Sequence, residues 1–419
     1  MKVIRTIFAV IACFLIAVGV FSVVGYELYF RHADPIVPEQ LLRDEVPPED
    51  VPADDSEQDP EPEPQPQPTG PSAEEERARE LLADMTLEQK IYQMCFTTPE
   101  ALTGVETATR AGDATKEAVL ENPVGGLLYA EKNLEDEDQV KALLEGTQSF
   151  LTEGGKMPTF LAIDEEGGDI APVASVLETT TFDTMEEIGQ DNDPEAALAM
   201  GETIAKEIAA LGFNVNFAPV ADLGGNALID SRAFSEDAEQ AASMVASMIK
   251  GSQSNGVLNA VTHFPGLGSI DDVAHIERTR LERTLEELKA EELLPFQSAI
   301  EQEVGFIIVS HAVMAALDDQ RPCSMSPAAI SMLRDDMGFR GIILTDALDI
   351  PAITDSYSAG DAALNAVNAG VDMLLCPENL DEAIQALLKA VEDGDIEESR
   401  INESVVRILA AKIKLGLIS

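Results

Sequence analysis

Histidine is scarce in this chain, with four residues in 419, and two of them share the stretch THFPGLGSIDDVAH at 262–275. That stretch is too rich in Gly and Pro for regular structure. Near the ends of other short apolar runs stand Asp164, Glu165 and Glu166, then Asp222, Arg232, His311 and Asp346. Metal ligation is one chemistry open to His and Asp in such numbers. However, no H-x-H or H-E-x-x-H pair occurs, and His263, His275 and His311 each belong to a separate strand end or loop, so no metal and no cofactor is expected. Acid–base and nucleophilic chemistry fits better. A carboxylate nucleophile opposed by a proton donor can cleave a glycosidic bond with retention. Imidazole titrates near neutral pH, which suits it to protonate a leaving oxygen and then to deprotonate water.

The elements that must hold these residues alternate along the chain. Eight apolar, β-rich runs lie at 90–96, 125–130, 159–166, 213–223, 256–264, 305–313, 341–348 and 371–376. Near-continuous apolar runs are what a parallel sheet buried on both faces requires. Helical patterns such as 193–212 and 285–303 separate them. The spacing predicts an α/β chain folded as a (β/α)8 TIM-type barrel over 81–419. An open doubly wound sheet is the alternative, but no G-x-G-x-x-G follows the first run. In a barrel the C-terminal strand ends share one rim, and Asp164, Asp222, His263, His311 and Asp346 would all stand on it.

Upstream of 81 the chain reads differently. Residues 7–26 carry no charge and follow Lys2 and Arg5, long enough to span a bilayer as a signal anchor within a segment 1–33. Residues 34–80 hold eleven prolines and 16 acidic residues against three basic ones, which predicts a disordered, extended stalk. The expected arrangement is single-pass at the cell membrane, with the barrel outside. A formal charge of −50 repels phosphate backbones and excludes nucleic acid as a partner. Four scattered cysteines make no disulfide framework.

Several stretches, in order, resemble the single-barrel β-N-acetylhexosaminidase branch of the family 3 glycoside hydrolases. LAIDEEGG resembles that branch's I-D-x-E-G-G, and GFNVNFAPVADL its G-[IF]-[ND]-x-N-[FL]-[AS]-P-V-x-D. SRAF resembles its R-S-F loop and THFPGLG its K-H-F-P-G-H-G; ELLPF, GFRGIILTDAL and AVNAGVDMLL follow in the same order. The resemblance covers roughly residues 81–419 and implies the barrel independently. It implies a carbohydrate substrate, with Asp346 as nucleophile and His275, on the loop after the fifth strand, as general acid/base. Asp164, Arg232 and His263 would hold the sugar. Thr262, where the pattern has lysine, completes that set.

The departures bear on rate and substrate. Leu267 replaces the second histidine of P-G-H-G, and Asp169 and Pro172 stand where the branch carries arginines. Two residues before His275, where an aspartate normally forms a dyad with the acid/base, the chain has Val273. Without that partner the imidazole is less firmly oriented and its protonated form less stabilised. Asp271 or Asp272 takes the place only if the loop runs in another register. Three classes follow: a retaining exo-β-N-acetylhexosaminidase, a glycan-binding barrel that has lost turnover, and a different hydrolase on the same barrel.

Overall fold

The computed structural model describes residues 70–226, 229–268 and 279–418. The expected anchor at 7–26 and the stalk up to residue 69 lie outside them, as do His275 and Val273. Among the described residues no helix is long and apolar enough to cross a membrane.

Among the described residues there are ten strands: β1 (Cys95–Thr97), β2 (Gly126–Leu128), β3 (Phe160–Ile163), β4 (Val215–Asn216), β5 (Leu258–Phe264), β6 (Arg280–Leu281), β7 (Phe306–Val309), β8 (Val313–Met314), β9 (Ile342–Thr345) and β10 (Leu374–Leu375). Eight form one sheet in the order β10-β1-β2-β3-β4-β5-β7-β9, and its neighbours run parallel. A bridge between Leu344 and Met373 brings β9 against β10 and all but closes the ring. The eight expected runs thus become the eight staves, and β6 and β8 form a separate pair on the rim. Inside, Phe96 packs on Phe217 and Phe160 on Phe306, with ring centroids 5.3 and 5.2 Å apart.

Two expected boundaries move. The run 90–96 is mostly helix: Leu87–Gln93 is helical, and β1 starts at Cys95. Thr86 and Gln89 close a reciprocal cap at its start, which fixes helix over the β-like composition of KIYQ. Upstream, the helix Ala73–Leu82 begins within the segment expected to be stalk. Ser72 caps it, Glu74, Glu75 and Glu76 fill its first turn, and it packs on the helix Glu398–Lys414.

β4 is only two residues long because side chains replace part of its ladder. The Asn214 Oδ1 accepts the Leu161 N–H, while Asn216 both accepts from and donates to the Glu165 backbone. The alternation N-x-N therefore points two amides along β3, at the strand whose end carries Asp164.

The C-terminal helix Glu398–Lys414 is fastened to the barrel floor by two buried polar nodes. Asp372 accepts from Ser404, Arg407, Arg334 and the Ile343 N–H. Burial alone would raise its pKa, but the three guanidiniums of Arg334, Arg407 and Arg400 hold it below the usual carboxylate value. Lys412, fully buried, donates to Gln93 Oε1 at 2.6 Å and to the Pro158 carbonyl at 2.7 Å, beside the ring of Phe160. Burial pushes its ammonium down to about 7. Replacing Lys412 with Met strands two buried acceptors and is expected to cost about 1–3 kcal/mol. The folded pKa lies below the unfolded one, so between about 7 and 10.5 the unfolded chain binds the extra proton. Wild-type stability gains from rising pH in that window and the Lys412→Met variant does not. The difference in melting temperature should therefore widen from pH 7 to pH 10 in a thermal-shift series.

Candidate active site

The turn after β3 sets the first site residues. Gly167 and Gly168 have φ of +97° and +57°. A Cβ on Gly168 would lie 2.7 Å from the Thr184 backbone, so E-G-G is required by both conformation and space. The three carboxylates ahead of the glycines diverge. Glu165 is buried and caps the helix Pro172–Val176 by accepting the Val173 and Ala174 N–H groups at 2.7 and 3.1 Å. Its carboxyl is raised to about 7 by burial, against those two donors. Glu166 ties the turn only through its backbone N–H, which donates to the Ile170 carbonyl. Its side chain accepts Arg232 Nε at 2.9 Å and Nη2 at 2.6 Å, a bidentate pair.

Asp164 is the third. Among the described residues no hydrogen bond to protein satisfies its half-buried carboxyl. Burial raises it to about 7, with Glu166 and Asp346 pushing the same way and Arg232 and His263 opposing. The same couplings show that Asp164, Arg232, His263 and Asp346 share one electrostatic neighbourhood at the mouth.

His263 is held by Asp222, a residue of the expected rim to which the motif reading gave no role. Buried Asp222 accepts from His263 Nδ1 at 2.6 Å through Oδ2, and from the Leu267 N–H at 2.8 Å through Oδ1. Nδ1–H is thereby committed to Asp222. Burial disfavours the imidazolium, yet Asp222 outweighs it and raises the histidine above its ordinary value. One carboxylate thus sets the histidine and pins the chain as it leaves β5. Asp222 stood in the expected rim set, and its partner was in reach of pattern reading: P-V-x-D ends one strand and H-F-P-G the next.

Thr262 is buried, its carbonyl accepting the Ala221 N–H at 2.7 Å. The peptide bonds Thr262–His263 and Phe264–Pro265 are cis. His311 donates through Nε2 to the Ala347 carbonyl at 2.9 Å and accepts at Nδ1 from Ser324 at 2.7 Å. Burial lowers its pKa, so it stays neutral and ties the end of β7 to the loop carrying Asp346. Asp346 follows β9; its N–H donates to Val309 and its Oδ1 accepts the Ala347 N–H at 2.8 Å. A cleft of about 350 Å³ opens on the rim beside these residues and meets them at Asp164.

A strand-end carboxylate, a dyad-held imidazole and a bidentate arginine thus stand around an unsatisfied carboxyl at the barrel mouth. The glycosyl hydrolase family 3 N-terminal domain matches residues 86–411. The chain belongs to this family. It is 30% identical over 321 residues to a beta-hexosaminidase A of Pseudoalteromonas piscicida, covering 70% of this chain and 54% of that protein. A beta-hexosaminidase of Stenotrophomonas maltophilia is 32% identical over 277 residues, 63% of this chain and 80% of its own length. Among solved structures, a family 3 beta-N-acetylglucosaminidase from Paenibacillus superposes with a TM-score of 0.75 at 32% identity, over 80% of this chain and 63% of that one. The chain therefore spans little more than half of the first relative and under two thirds of that structure.

Two titrations check the site. Asp222→Asn removes the main charge that raises His263, so the His263 ring midpoint should fall in an imidazole NMR titration; a midpoint unchanged from wild type would mean that the dyad does not set its charge. For Asp164, Arg232→Ala should move the carboxyl midpoint up and Glu166→Gln should move it down, read by carbon-13 carboxyl shifts. Movement in one common direction would contradict the couplings above.

Proposed function

We propose that this family 3 chain is a retaining, exo-acting β-N-acetylhexosaminidase. The observation that carries the reading is the placement of Asp346 at the end of β9, in the same charged neighbourhood as Asp164, Arg232 and His263. The names of the relatives point the same way. In this reading Asp164, Arg232, His263 and Thr262 hold the terminal sugar. A carboxylate oxygen of Asp346 attacks the anomeric carbon as the bond from that carbon to the leaving oxygen breaks. His275 gives its proton to the leaving oxygen, then takes one from water as the water oxygen displaces Asp346. Two inversions at one carbon give retention. Arg232 has two donors already placed by Glu166, which pre-orients the remainder toward a sugar hydroxyl.

The acidic, Pro-rich segment 34–80 and the apolar run 7–26 support a tethered form, with the barrel held outside the cell membrane and acting on cell-wall saccharides. A second reading, glycan binding without turnover, is favoured by Val273 at the position where the family's dyad aspartate would stand.

Kinetics on a chromogenic β-N-acetylglucosaminide separate the two. Asp346→Ala is expected to lower kcat by at least about 10³-fold, and His275→Ala by about 10²–10⁴-fold. The first product seen by proton NMR should be the β-anomer. An α-anomer, or turnover surviving Asp346→Ala, rejects the double-displacement mechanism. Saccharide binding with no turnover in the wild type establishes the second reading instead.

A further inference from the structure

The cleft beside Asp164 has a charge character of its own. Its charged lining residues are Glu131, Asp164 and Asp169, and no Lys or Arg lines it among the described residues. Lys132, next to Glu131 in sequence, pairs with Glu100 at 3.4 Å, and Arg232 pairs with Glu166. Ile170, Ala171, Pro172 and Phe182 give it an apolar part as well. Ile170 is one of two large apolar side chains exposed among the described residues. Asp169 and Pro172 are two of the departures from the family pattern, so the substitutions that removed two arginines converge on this one cavity.

The acidic wall is built into the fold. Glu131 Oε2 accepts from Ser175 at 3.1 Å, on the helix whose first turn is capped by Glu165. Asp169 sits between Gly167 and Ile170, which bridge to each other across the turn. Asp164 offers a carboxyl with no protein donor among the described residues, and a ligand hydroxyl or ammonium can supply one. At about 350 Å³ the cavity lies at the small end of ligand pockets, the scale of a short saccharide.

We propose that this cleft selects saccharides by charge, taking a sugar unit that carries a free ammonium and rejecting one that carries a carboxylate. The inference rests on the reading of the mouth as a saccharide site, and it names the substrate class within that site. An ammonium among Glu131, Asp164 and Asp169 makes charge-assisted hydrogen bonds in a half-enclosed space, while the C–H face of the ring lies on Ile170 and Phe182. A carboxylate in the same place meets Glu131, Asp164 and Asp169, with no Lys or Arg lining the cleft among the described residues.

Calorimetry with three β-linked disaccharides tests this without any need for turnover: diglucosamine (cationic), its di-N-acetyl form (neutral), and glucuronyl-N-acetylglucosamine (anionic). At pH 7 and low salt the cationic sugar should bind at least about 10-fold more tightly than the anionic one, and the gap should shrink in 0.5 M salt as screening predicts. Glu131→Gln with Asp169→Asn should narrow the gap several-fold. Glu153→Gln with Glu301→Gln should not; these exposed residues lie at helix ends leading into β3 and β7, on the other face of the barrel. Equal or reversed ranking overturns the proposal, as does a gap that the cleft variants leave intact or that the remote pair narrows as much. A chromogenic β-N-acetylglucosaminide assay of the wild type is read alongside. Hydrolysis without charge ranking removes this inference and leaves the hydrolase reading; charge ranking without hydrolysis does the reverse.

Discussion

Carboxylates crowded into one partly dry mouth are the constraint around which this barrel is arranged. Asp164, Glu166, Asp222 and Asp346 approach one another at the strand ends, where like charges in low dielectric repel strongly. The Arg232 guanidinium compensates them, and His263 is drawn toward its charged form; each is fixed by a specific partner, Arg232 in a fork on Glu166 and His263 on Asp222. Compensation stops short at Asp164, whose raised pKa records what remains unbalanced. Such an incompletely satisfied group is what a polar ligand can complete, and the surplus of negative charge is what gives the neighbouring cleft its sign.

The rest of the fold serves that mouth by holding strand ends still. Asn214 and Asn216 lock β4 against β3, and Glu165 anchors the helix that carries Ser175. Asp222 couples β4 to β5 and to the chain leaving it at Leu267, while Asn226 donates to the Leu267 and Gly268 carbonyls. His311, which could pass for a catalytic histidine on position alone, is a neutral strut between two strand ends. At the floor, Asp372 and Lys412 bind the last helix to the staves through buried polar contacts, at some distance from the chemistry. Function and fastening thus occupy opposite faces, as parallel strands in a barrel dictate.

Much of this was legible along the chain. Eight buried parallel strands need eight apolar runs, and all eight appear in order because a stave buried on both faces leaves no room for alternation. Their ends were less readable: the apolar KIYQ is helical because Thr86 and Gln89 cap it, a local bond that outweighs β-like composition. Asp164, His263 and Asp346 could be named from motif and strand-end position. The pairing of Glu166 with Arg232 could not, since 66 residues separate them and nothing in either segment names the other.

The sequence by itself therefore determined the kind of molecule, a family 3 barrel with carboxylates and histidines on one rim, because periodicity and short motifs are local properties. Which carboxylate is paired, which histidine is charged and which acid is left unsatisfied was decided only in three dimensions. Those assignments depend on burial and on partners from other staves, and both come into being only when the ring closes.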